Sequence, residues 1–116
     1  MEKIELNVFA IVGDPFCVAA EDGEKVFNQI KMGFKEKKNI ILSFQNVEML
    51  TSAFLNTAVG KLYGDYDEKI IKQYLSVKEI TDTDKLLLKR VIDTAKAYYK
   101  DPDQFEESIR KIMEED

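Results

Sequence analysis

Residues 40–64 read IILSFQNVEMLTSAFLNTAVGKLYG. The opening of this stretch, with Asn39 before it, is a β-branched, aliphatic and aromatic run that predicts a strand over 39–44. A turn through Gln45-Asn46-Val47 follows. Thr51-Ser52 then opens a helix to about Tyr63, since a hydroxyl at a helix start accepts a backbone N–H. Phe54, Leu55, Ala58, Val59 and Leu62 recur at helical spacing and form one apolar face. Asn56, Thr57 and Lys61 lie away from much of it. Gly64 is the expected helix stop. A strand followed by an apolar-faced helix points to helices layered on a sheet.

The flanking residues extend that pattern. Ile4, Leu6, Val8, Ala10 and Val12 alternate, which predicts a strand over about 3–12. Gly13-Asp14-Pro15 is a turn signal, and Phe16–Ala19 then reads as a short second strand paired with the first as a hairpin. A helix over about 21–37 follows, with Val26, Phe27, Ile30 and Phe34 inward and Glu21 and Asp22 at its positive end. After Gly64 the sequence predicts a short helix over 67–74, burying Ile70 and Ile71, and a strand over 75–80. Thr81 or Thr83 caps a helix over about 83–100, with Leu87, Val91, Ala95 and Tyr98 facing inward. Asp101-Pro102 breaks it, and Pro102 fits the start of a last helix, about 102–115, carrying Phe105, Ile109, Ile112 and Met113 on one side. The expectation is one α/β domain over 1–116, with its core in about 3–100. It has a small mixed sheet of about four strands, helices mainly on one face and an extra C-terminal helix.

Composition removes much chemistry. The chain has 116 residues, 45% hydrophobic and 34% charged, a globular balance for a single domain. It has no His and one Cys. It therefore cannot build a Ser-His or Cys-His nucleophile, a His-containing or all-cysteine metal site, or an internal disulfide. Cys17 reads as a small core hydrophobe. Net charge is -5, and the densest basic run, Lys35-Glu36-Lys37-Lys38, is interrupted and reads as a solvated helix end, which disfavours nucleic acid as a partner. The longest apolar runs, Val8–Val12 and Phe16–Ala20, are too short for a signal core or a membrane span, so a cytoplasmic protein is expected. No glycine-rich phosphate loop occurs. Asp65–Lys69 resembles a calcium loop only until Lys69 takes a ligand position. No catalytic residue, metal or cofactor is expected.

The 40–64 stretch resembles the STAS superfamily, named for sulfate transporters and anti-sigma-factor antagonists. The segment Thr-Ser-Ala-Phe-Leu-Asn with Gly-Lys-Leu-Tyr is more similar to its small, functionally unassigned STAS-like branch. Gly13–Cys17 and Glu21–Lys25 are similar to that branch as well, so the resemblance spans about residues 8–95. It implies a small sheet with helices largely on one side. In the antagonists an Asp-Ser-Ser-Gly-type turn carries a regulatory phosphate. Here that turn is Leu50-Thr51-Ser52-Ala53, with Ser52 on the acceptor position and Thr51 as the adjacent hydroxyl. Leu50 stands in place of the acid, and Ala53 in place of the glycine. The resemblance thus implies a phosphoacceptor or partner-binding surface at Thr51, Ser52, Ala53 and Asn56. It also implies a protein partner, a kinase-like ATPase or another signalling regulator.

The chemistry of that turn stands without the resemblance. A hydroxyl there caps the helix, contributing about 1 kcal/mol. A phosphate there would meet free N–H groups and add about -1.5 to -2 charge. Binding then changes while the fold persists. The expectation is a non-enzymatic protein-interaction module switched at Ser52 or Thr51. The competing expectations are a small nucleotide- or ligand-binding domain and a self-associating structural subunit.

Overall fold

The structure is a computed structural model and describes residues 2–100; the helix expected over 102–115 lies outside them. The elements in chain order are β1 (Lys3–Asn7), α1 (Val8–Val12), β2 (Phe16–Cys17), α2 (Ala20–Lys35), β3 (Asn39–Ser43) and β4 (Met49–Leu50). There follow α3 (Ser52–Leu55), a π-helical turn (Asn56–Gly60), α4 (Leu62–Asp65), α5 (Glu68–Tyr74), β5 (Leu75–Lys78) and α6 (Asp82–Lys100). The fold is α/β, as the periodicities predict.

The main sheet has three parallel strands in the order β1-β3-β5. Ile4, Ile40 and Leu75 lie in register, as do Leu6, Leu42 and Val77, so one face is apolar. The other face carries Glu5, Ile41 and Ser76 in one row, with Glu5 and Lys78 paired across β3. Ile40 and Leu42 are buried, whereas Lys3, Glu5, Ser76 and Lys78 are exposed. A parallel sheet is usually covered on both faces; here, among the described residues, the polar face keeps those four side chains exposed, although Ser43 on it is buried. The core is built from Val26, Ile30, Phe54, Leu55, Val59 and Leu62.

The strand expected over 3–12 is two elements. Asn7 ends β1, and its side-chain Oδ1 accepts the Ala10 N–H at 2.8 Å, capping α1. Gly13, at φ +79°, closes that helix by donating its N–H to the Phe9 carbonyl at 2.8 Å. The run VFAIV is apolar on all sides, so alternation could not tell strand from helix. The expected hairpin fails for the same reason: α1 separates β1 from β2. Instead β2 pairs in parallel with β4, a second sheet of two strands, with Phe16 opposite Met49 and Cys17 opposite Leu50. Among the described residues the sheets are thus parallel throughout rather than mixed, with five strands in place of about four. Ile70, expected inside, is exposed, while Ile71 is buried. Thr81 is the hydroxyl that serves α6, accepting the Asp84 N–H at 3.2 Å.

α2 packs on α3 and on the π turn. That approach is close because Gly23 has no Cβ: one built there would lie 2.5 Å from the Phe54 carbonyl oxygen. Gly64 belongs inside α4 rather than ending the helix before it, and it lies against the Tyr99 ring.

Candidate functional site

The expected site begins where β4 ends. Thr51 is extended, at φ -123° and ψ 159°, and is the N-cap of α3. Its Oγ1 accepts the Phe54 N–H at 3.2 Å and donates to the Val18 carbonyl at 2.7 Å. One hydroxyl therefore caps the helix and ties it to the residue after β2. Phe54 and Leu55, which follow, are fully buried, and this fixes the direction of α3. Ser52 and Ala53 are left exposed on its first turn.

The parallel pairing of β2 with β4 sets the surroundings. Cys17 and Leu50 point into the core, and so Phe16 and Met49 point out, side by side. Phe16 is 49% exposed, Met49 51% and Val18 38%. The loop before β2 holds this surface in place. Asp14 Oδ1 accepts the Phe16 N–H at 2.8 Å, and the Pro15 carbonyl accepts from Glu48 at 2.8 Å and Met49 at 3.3 Å. The result is a patch of three large apolar side chains beside the exposed Ser52-Ala53 start of α3. Burial raises the Cys17 thiol to about 11, with Asp14 and Asp22 adding to the rise. The thiol is therefore protonated at neutral pH.

The structure thus brings Thr51, Ser52 and Ala53 together and puts Asn56 elsewhere. Asn56 begins the π turn, which Lys61 closes by donating its N–H to the Asn56 carbonyl at 3.0 Å. Thr57 Oγ1 donates back to the Ala53 carbonyl at 3.3 Å. The wider turn sets Asn56, Thr57, Gly60 and Lys61 along a shallow cleft of about 260 Å³ against Thr94 and Tyr98 of α6. Among the described residues no group of three or more His, Cys, Asp or Glu could hold a metal ion, and no helix is long and apolar enough to cross a membrane.

Phe16, Val18 and Met49 carried no functional signal in the sequence. Their outward alternation was visible, but the pairing that gathers them joins residues over thirty positions apart.

The sequence profile of a protein family described as a STAS-like domain of unknown function (DUF4325) matches residues 22–85, just over half of the chain. The chain belongs to this STAS-like family. The matched residues run from α2 to α6 and include the whole Thr51–Asn56 segment. They leave out β1, α1 and β2, so the STAS-like match covers one half of the β2–β4 patch. No curated protein and no solved structure matches this STAS-like chain significantly.

Proposed function

We propose that this STAS-like domain is a non-enzymatic, cytoplasmic regulatory module that docks a protein partner. Docking uses the Phe16, Val18 and Met49 patch together with the start of α3. The observation that carries this reading is the exposure of those three side chains beside Ser52. Contiguous exposed apolar side chains rimmed by polar groups favour a protein contact. The partner class, a kinase-like ATPase or another signalling regulator, is supported by family resemblance.

Ser52 is the preferred switch position. The Thr51 hydroxyl is engaged in two hydrogen bonds, whereas Ser52 is exposed. A phosphate on Ser52 would add about -1.5 to -2 charge beside the patch. An acidic or apolar partner surface would then be repelled, with no core residue disturbed.

Native co-purification tests this, with mass spectrometry of the captured proteins and of the peptide containing Thr51 and Ser52. The expected result is a stoichiometric partner that is lost from a Phe16→Ser, Met49→Ser variant. Recovery of the protein alone, unmodified, would overturn the proposal.

A further inference from the structure

A groove of about 470 Å³ lies between β5 and α6, sharing no residue with the docking patch. Its floor includes Leu75 and Val77 of β5 and Leu88 and Ile92 of α6. Leu88 is buried, while Leu75, Val77 and Ile92 are half-buried and keep apolar surface accessible. Lys72, Lys85, Lys89 and Lys96 also line it. Glu68 serves two of these, Lys96 at 2.7 Å and Lys72 at 3.9 Å, and Asp93 pairs with Lys89 at 3.2 Å. Among the described residues Lys85 has no ion-pair partner. Four cations thus face two carboxylates around an aliphatic floor, on a chain whose net charge is -5.

We propose that this groove binds a single-chain aliphatic carboxylate. Its alkyl chain lies over Leu75, Val77, Leu88 and Ile92, and its carboxylate meets Lys85.

Three features favour this ligand class. The volume falls within the range of small-ligand sites, about 300–1,000 Å³. Aliphatic side chains outnumber the ring of Tyr63 in the lining, which suits a saturated chain better than a stacked base. The charge is arranged to hold one anionic end. Lys85, Leu88 and Ile92 follow at spacings of three and four, so they share a stripe of α6 that runs about 10 Å. A head group at Lys85 therefore sets the chain along that stripe. Lys89 is one turn from Lys85, so a single carboxylate can meet both ammonium groups. At the other end Glu68 already answers Lys96 and Lys72, which leaves Lys85 as the cation a ligand would neutralise.

Calorimetric titration of the full chain with hexanoate, octanoate and decanoate tests this, each kept below its micelle concentration. Saturable binding is expected. It should tighten roughly fifteen-fold for each pair of methylenes added, since one buried methylene is worth a factor of about four. Decyltrimethylammonium, with the same chain and the opposite charge, should not bind. In NMR spectra decanoate should shift the amides of Val77, Leu88 and Ile92 and leave those of Phe16 and Met49 in place. Lys85→Glu alters an exposed side chain, so it should keep the unfolding midpoint while weakening decanoate about tenfold. No saturable binding, an affinity that does not grow with chain length, or equal binding of the cation would overturn the proposal. So would shifts centred outside the groove, or an unchanged affinity in Lys85→Glu.

Discussion

Thr51 and Ser52 are adjacent hydroxyls in unlike settings, Thr51 holding two hydrogen bonds and Ser52 exposed. Thr51→Ala removes a helix cap, at about 1 kcal/mol, and leaves the Val18 carbonyl without its donor, a further cost of about 1 kcal/mol. Thermal unfolding should show the loss as a drop of roughly 4–8 °C per kcal/mol in a domain of this size. Thr51→Ser, which keeps both bonds, should recover most of it. Ser52→Ala, at an exposed position, should leave the midpoint nearly unchanged. That a hydroxyl caps this helix was legible from the sequence; which of the two does so depends on Val18, a contact 33 residues away. Cys17 offers a pH test. Its unfolded thiol ionises near the ordinary value of 9, while the folded one keeps its proton to about 11. Stability from this group is complete below pH 9 and falls as pH rises toward 11, because unfolding releases a proton. A Cys17→Ala variant should show a flatter stability profile across that window in urea titrations. In the native protein at pH 8, a thiol reagent should react slowly until denaturant is added.

The helices were legible because each buries one stripe. Val26, Phe27, Ile30 and Phe34 of α2 are buried as the spacing predicts, and so are Phe54, Leu55, Ala58, Val59 and Leu62. What the pattern missed is local chemistry that overrides it. Asn7 and Gly13 turn an alternating run into a one-turn helix, and their capping roles were readable from residue type alone. The π turn was not readable, since Asn56–Gly60 keeps its apolar residues inward in either kind of helix. Gly23 shows how packing reverses a propensity rule. Gly→Ala inside a helix ordinarily stabilises by roughly 0.5–1 kcal/mol. Here the added Cβ would meet the backbone oxygen of Phe54 at 2.5 Å, where no side chain can rotate away. Gly23→Ala should therefore destabilise, by about 1–3 kcal/mol as overpacking does. Denaturant melting would show it as a lower midpoint with an unchanged slope.

The α/β layering could be read from the order of elements, yet the sheet pairing could not. β1, β3 and β5 are joined by helical crossovers, and β2 finds β4 only after α2 and β3 intervene. Such pairings are long-range and leave no mark in a short window. The exposed apolar patch arises from one of them, which is why Ser52 was visible in the sequence and its apolar neighbours were not. The charged side chains on the polar face of the main sheet and the apolar β2–β4 patch give the described residues unlike surfaces, and the proposed contact uses the patch. Phe16→Ser and Met49→Ser act on exposed side chains, so each should leave the unfolding midpoint within about 0.5 kcal/mol of wild type. The same changes should each cost more than about 1 kcal/mol of binding if these residues anchor the contact. The decisive measurement is the affinity of the co-purified partner for the wild-type domain and for Ser52→Asp, by calorimetry, with circular dichroism confirming an unchanged fold. A loss of about tenfold or more, equal to about 1.4 kcal/mol, is predicted. Equal affinity for the two proteins would contradict a switch at Ser52.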